Sequence, residues 1–349
     1  MRTLPALLLI AALPAGARHC EIGGVEVNPD NGSTTAGRTG TLVCRDDDGK
    51  PLYEHELRDG EHIGMEKSWG FDGSRTERTV NANGNSDGMV REFWPDGMPK
   101  TEGEYRDGDA VGLHRRWHRN GKIASISFIE AGSRRHGARI EWDDTGALKD
   151  FSCAAKSMLT EDRQLCGWGT MAEVDLHARG RVVERRRMLE GRVIGQQLLD
   201  ESGRVVQSMD VTEKGRIEKR FHPDGKQAWE KVVVGDWVTS EREWYMNGAP
   251  KWTKTVDPAD ERNPLVVTEQ FRDDGTLRER EAVRGRERVH RELFDANGQR
   301  SEEFLYAEDG TERVHRKFAA DGSLRLEEEL YPDGSRKRSG PEATTIGGA

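Results

Sequence analysis

Large apolar residues recur along the chain at fixed distances from a glycine. Four residues before the glycine of a short polar turn stand Trp69, Phe93, Trp117, Trp142, Leu199, Phe221, Trp244, Phe271, Phe294 and Phe318. Eight before it come Met65, Met89, Leu113, Ile217, Val267 and Val314. Eight after it come Leu57, Tyr105, Ile129, Val211, Val233, Val256, Val283, Tyr306 and Leu330. A separation of four keeps two strand side chains on one face, so the first two columns predict strands that run into a turn. The turns include Asp96-Gly97, Asn120-Gly121, Asp224-Gly225, Asn247-Gly248, Asp274-Gly275 and Asp321-Gly322. Asp-Gly and Asn-Gly pairs predict type I′ hairpins, in which both central residues take positive φ. A second turn, as at Asp107-Gly108 or Glu190-Gly191, closes each unit.

The glycines are 24, 24, 24 and 25 residues apart from Gly49 to Gly146, and 22, 23, 27, 23 and 24 apart from Gly203 to Gly322. The 57 residues between the two runs hold one degenerate repeat turning near Gly180 and an insertion with two cysteines. One hairpin cannot bury its apolar face alone, but about a dozen stacked units can. The expected fold is all-β: an elongated, single-layer antiparallel sheet of tandem hairpins with a continuous aromatic stripe, interrupted near residues 150–180. The expected divisions are a leader at 1–17, an N-terminal segment at 18–40, repeats at 41–150, an insertion at 151–180, repeats at 181–338 and a disordered tail at 339–349.

These units resemble MORN repeats, specifically the bacterial MORN-variant form. The stretch from Asp96-Gly97 through Tyr105, Asp107-Gly108, Gly112, Trp117 and Asn120-Gly121 follows the family pattern closely. Asn297-Gly298 through Tyr306, Asp309-Gly310 and Phe318 to Asp321-Gly322 follows it without a counterpart of Gly112. The resemblance covers about residues 40 to 337. It implies hairpin arrays used for protein interaction or scaffolding, and in some eukaryotic cases for membrane-lipid contact. Bacterial members are often described as YwqK-like antitoxins, which implies a toxin-neutralising alternative and a cytoplasmic partner.

Hydrophobic and charged residues are each 34 % of the chain, a thin apolar supply for a compact core of 349 residues. A one-layer array with much surface accounts for it. The net charge of -9 gives no reason to expect nucleic-acid binding over the whole surface. Arg2, the apolar run Leu4 to Leu13 and Ala15-Gly16-Ala17 read as an export signal cleaved near Ala17. Ala17-Arg18-His19 before Cys20 is a poor lipobox, which counts against a lipoprotein. Export makes disulfides the expected state of Cys20, Cys44, Cys153 and Cys166; of three connectivities, the local one is simplest.

Six residues before the glycine, on the face of the aromatic column, stand Lys67, Arg91, Arg115, Lys219, Arg242 and Arg316. Cations beside aromatic rings suggest a groove for an anionic partner, with Arg91, Arg115, Trp117, Trp142, Arg242 and Trp244 as candidate binding residues. The plainer reading is that long side chains cover a thin core. Trp168, beside the insertion, is a further candidate, since insertions in repeat arrays often carry binding. His114 and His118 are roughly 13 Å apart at strand rise, too far for one ion. No catalytic motif, metal set or cofactor site is evident, so the chain reads as a non-enzyme with a protein or envelope polymer as partner. An envelope hydrolase or inhibitor centred on 153–168 is the remaining alternative. Membrane-surface contact has no support in the sequence, and oligomeric state is not legible in it.

Overall fold

The computed structural model of the chain describes residues 18–132, 136–257 and 262–343. The expected leader, 1–17, and the tail from 344 lie outside them. The chain divides into two units, Met1–Thr170 and Met171–Ala349. Twelve strands, from His19–Ile22 to Leu148–Ser152, form one antiparallel sheet; fifteen, from Ala172–Ala178 to Arg336–Ser339, form a second. Among the described residues neither sheet closes into a barrel. The fold is therefore all-β, with nearly every strand paired to its neighbours in sequence. The pairing stops at Ser152 and resumes at Ala172, inside the long gap between Gly146 and Gly203.

The glycine turns are not of the expected type I′. Gly97 donates to the Trp94 carbonyl at 2.8 Å, and Trp94 donates to the Met98 carbonyl at 2.8 Å. Gly97 has φ 83°, while Asp96 keeps a negative φ. That is a three-residue loop, a type I turn closed by a left-handed glycine. Asp96 accepts a bond from the Met98 N–H at 3.0 Å, which explains the acidic residue without a positive φ. In other repeats the acid opens the turn: Asp143 accepts from Thr145 and Ala147. Hydroxyl donors Ser74, Thr145, Thr276 and Ser323 hold the carboxyls of Asp72, Asp143, Asp274 and Asp321 below the usual range. Type I′ geometry belongs instead to Asp59-Gly60, Asp107-Gly108, Arg179-Gly180 and Glu190-Gly191.

A bulge follows nearly every glycine turn. Phe93 faces Pro99 but Glu92 faces Thr101, so Lys100 has no partner across the ladder. The same skip isolates Ala124, Lys149, Lys251 and Arg278. Skipping one residue reverses the face of everything beyond it. Tyr105 and Val233, eight after their glycines, therefore point away from the face of Phe93 and Phe221. The apolar columns are split between the two faces rather than gathered in one aromatic stripe.

Fully buried side chains concentrate in the N-terminal unit, at the two ends of its sheet. At one end Cys20, Ile22, Val27, Leu42, Cys44 and Leu57 pack together with Leu52 and Tyr53. The Cys20–Cys44 disulfide joins residues that face each other across neighbouring strands. At the other end Ile126, Ala138, Ile140 and Phe151 are buried on the last three strands, with Leu159 and Cys166. Bare sheet faces are exposed, so burial there requires a cover. Residues 153–170 supply it: the single-turn helix Asp162–Leu165 lies against His136–Trp142, and Met158 sits against Gly137. Cys153–Cys166 closes the segment.

Candidate functional site

The basic column proves to be half of an ion-pair ladder. Across the strands, the residue six before a glycine faces the residue five after that glycine on one side and five after the previous one on the other, with Glu77, four after Gly73, in the place that has no bulge. One row reads Glu54, Lys67, Glu77, Arg91, Glu102, Arg115. Lys67 lies 3.2 Å from Glu54; Arg91 and Arg115 lie 3.9 and 2.7 Å from Glu102. In the second sheet Lys219 pairs with Glu230 at 3.5 Å, and Arg316 with Glu303 and Glu327 at 3.1 and 2.6 Å. Arg280 inverts the order, pairing with Glu269 and Glu292. Arg91 and Arg115 thus answer carboxylates instead of standing free beside Trp117. Arg242, exposed, stands between Glu230 and Thr253 on the same row, and Trp244 shares its face.

His290, Glu292 and Glu303 bring three ligand-type atoms within 4.8 Å of one another. The surroundings argue against an ion there. Arg280 and Arg300 reach Glu292, and Arg300 and Arg316 reach Glu303, all within 3.2 Å. Burial raises the Glu303 carboxyl, but bonds from Arg316 and His290 and the neighbouring guanidinium charges outweigh it and leave it below the usual range. The cluster is a node of the ladder.

A second system runs along the rim of glycine turns. At four of these turns the residue three before the glycine reaches the carbonyl of the aromatic residue in the next repeat. His118 Nε2 lies 2.9 Å from the Trp142 oxygen and His222 Nε2 3.0 Å from that of Trp244. Tyr245 donates to Phe271 at 3.0 Å and Arg272 to Phe294 at 2.7 Å. His118 and His222 are therefore half-buried stitches between repeats. Trp94 occupies the same place but makes no such bond: its buried indole N–H has no partner.

Around Trp94 the rim opens into a groove of about 420 Å³ lined by Lys100, Arg116, Arg119, Lys149 and Glu141, among others. Lys100 Nζ and the Arg119 guanidinium carbon lie 5.3 and 5.6 Å from the Trp94 ring centre. Arg116, Arg119 and Lys149 are exposed, and among the described residues none has a carboxylate in ion-pair range. Glu141 is held by Arg139, and Lys100 by Glu92. Trp117 and Trp142 form part of the groove wall. Their positions next to Arg116 and Glu141 turn their indoles toward the opposite face, that of Arg115.

The second sheet repeats this groove at the same places in the repeat, again at about 420 Å³, with Tyr245, Lys251, Gln270, Phe271 and Arg278 where the first has Trp94, Lys100, Arg116, Trp117 and Ala124. Trp252 adds a ring, its N–H on Glu243, which also binds Lys251 at 2.6 Å. A larger groove of about 700 Å³ near Arg185, Arg186 and Arg187 has no aromatic lining, and its guanidinium groups are paired with Asp175, Glu184 and Asp210.

Trp94, Lys100, Arg119 and Lys149 were not among the residues singled out from the sequence. The signal was present: basic residues recur three after the glycine, at Lys100, Lys149, Lys251, Arg278 and Arg325. Only the bulge shows what that position does. Trp168 is half-buried, and its indole N–H is buried without a partner, which does not make it an open hot spot. In the insertion, Asp162 is fully buried and accepts from Ser157 Oγ, Met158 N and Leu159 N at 2.7, 2.9 and 3.2 Å. Its carboxylate fixes the loop.

No protein-family model and no curated protein matches the chain. Solved structures give faint likenesses. TarM of S. aureus aligns with 31 % of this chain at 13 % identity and a TM-score of 0.23. The match spans only 21 % of TarM. A TcdB2-TccC3-TEV structure aligns with 85 % of this chain and 17 % of its own length, at 11 % identity and a TM-score of 0.20. A porin-like protein from Bacteroides uniformis aligns over 79 % of this chain and 93 % of its own, at 7 % identity and a TM-score of 0.14. Scores this low carry no argument about fold relationship or activity.

Proposed function

We propose that this chain is an exported, MORN-like repeat protein that acts as an interaction or scaffolding module in the cell envelope and takes its partner at the turn-rim grooves. The recurrence of one basic and aromatic groove at equivalent repeat positions in both units carries this reading. Aromatic rings and cations are the side chains that dominate binding at interfaces. Two disulfides fit an oxidising compartment outside the cytoplasm, and the N-terminal sequence supplies an export route to the periplasm or beyond. The reading assigns no catalytic step, and the toxin-neutralising alternative gains no specific observation. Affinity capture from an envelope fraction tests it. The wild-type chain should retain a partner that R119E/K149E loses at least tenfold; equal retention by both would remove the grooves from the account.

A further inference from the structure

We infer that the rim grooves hold an acidic polysaccharide whose charge sits on the sugar ring itself, as in a uronate polymer; this rests on the grooves being the partner site. Three observations lead to it. First, ring and cation are adjacent: Lys100 and Arg119 lie within 6 Å of the Trp94 ring centre. A ligand that uses both must present an apolar ring face and an anion side by side. A uronate sugar has both on one ring. An acidic peptide has the carboxylate without the ring, and a nucleotide separates its stacking base from its phosphate by a sugar. Second, the charge is locally positive. Among the described residues Arg116, Arg119 and Lys149 have no carboxylate in ion-pair range, while the one lining carboxylate, Glu141, is taken by Arg139. The whole chain is at -9, so the attraction is short-ranged and belongs to the groove. Third, the groove occurs twice, at equivalent repeat positions. The bulge after the turn sets a basic side chain at the rim beside the aromatic of the preceding turn, and the second sheet does so again with Lys251, Arg278 and Tyr245. A polymer offers the same repeating chemistry to both grooves, which a single protein epitope does not.

The test is calorimetric titration of the full chain with oligogalacturonate, its neutral methyl ester, poly-glutamate and oligo-thymidylate. R119E/K149E and R278E are compared after confirming unchanged melting, since all three side chains are exposed. Oligogalacturonate should bind saturably, at least tenfold more tightly than the other three. R119E/K149E should weaken it at least tenfold, and R278E by a smaller factor. Poly-glutamate or oligo-thymidylate binding as tightly as oligogalacturonate would overturn the inference, as would oligogalacturonate binding unchanged in the double variant. A protein captured from the envelope by the wild type and lost by R119E/K149E, with no glycan binding, would overturn the glycan and leave the interaction module standing. Loss of neither would remove both.

Discussion

Arg316 and Glu303 show what a single residue does in a sheet with bare faces. Glu303 is buried and accepts from Arg316 and His290, with Arg300 beside it. Exposed pairs contribute about 0.2–1 kcal/mol each, and leaving a buried group unmet costs more. Arg316→Ala should therefore lower stability by about 1–2 kcal/mol, read from denaturant midpoints, whereas exposed Arg242→Ala should change it by less than about 0.5 kcal/mol. His55 gives a pH dependence. It is buried, its Nδ1 lies 2.7 Å from that of His62, and its Nε2 has no partner. Burial first, then His62, hold its pKa below the ordinary 6.5, against the pull of Glu66. The unfolded chain then binds a proton that the folded chain does not. Stability should fall as pH drops through 6.5 toward the lower folded value and level off beneath it. Denaturant midpoints across that range should flatten in His55→Gln; an unchanged slope would assign the dependence to other groups. The His55 dependence was not legible in the sequence, because burial of a histidine depends on the strand that covers it.

At the scale of the element, the turn and the bulge set the architecture. Gly97 has φ 83° and open space where a Cβ would go, so Gly97→Ala meets only the backbone penalty. It should cost about 1–2 kcal/mol, measured by thermal or denaturant unfolding. The strands were legible from the glycine spacing and the aromatic column, since period and turn chemistry are local. The face assignment beyond each turn was not, because one bulged residue reverses it and no residue type announces it. For the same reason the sequence pointed to Trp117 and Trp142 and passed over Trp94 and Lys100. The ladder could have been found: Glu54, Glu102, Glu230, Glu303 and Glu327 all stand five after a glycine. The insertion was visible as a break in spacing, and its role as a cover emerged only from the burial of Ile126, Ile140 and Phe151. Cys153 and Cys166 close 13 residues. Replacing both with Ser should destabilise the N-terminal unit by about 2–4 kcal/mol and raise its binding of a hydrophobic dye.

At the scale of the whole molecule, two units build the same rim from the same repeat, and within each sheet ladder pairs, with rim stitches at some turns, tie neighbouring repeats together. Such arrays hold their surfaces rigidly through nearest-neighbour contacts, which suits a scaffold. In both units the rim grooves are where partners are taken. Site-specific photo-crosslinking in the native envelope tests it most directly, with the crosslinker at Ala124, on the groove wall of the first sheet, and a control at exposed Glu190 in the opposite row of turns of the second. Ala124 should give a discrete adduct, absent from the control and abolished by Arg119→Glu. Equal adducts from both positions, or an Ala124 adduct indifferent to Arg119→Glu, would contradict capture at the grooves.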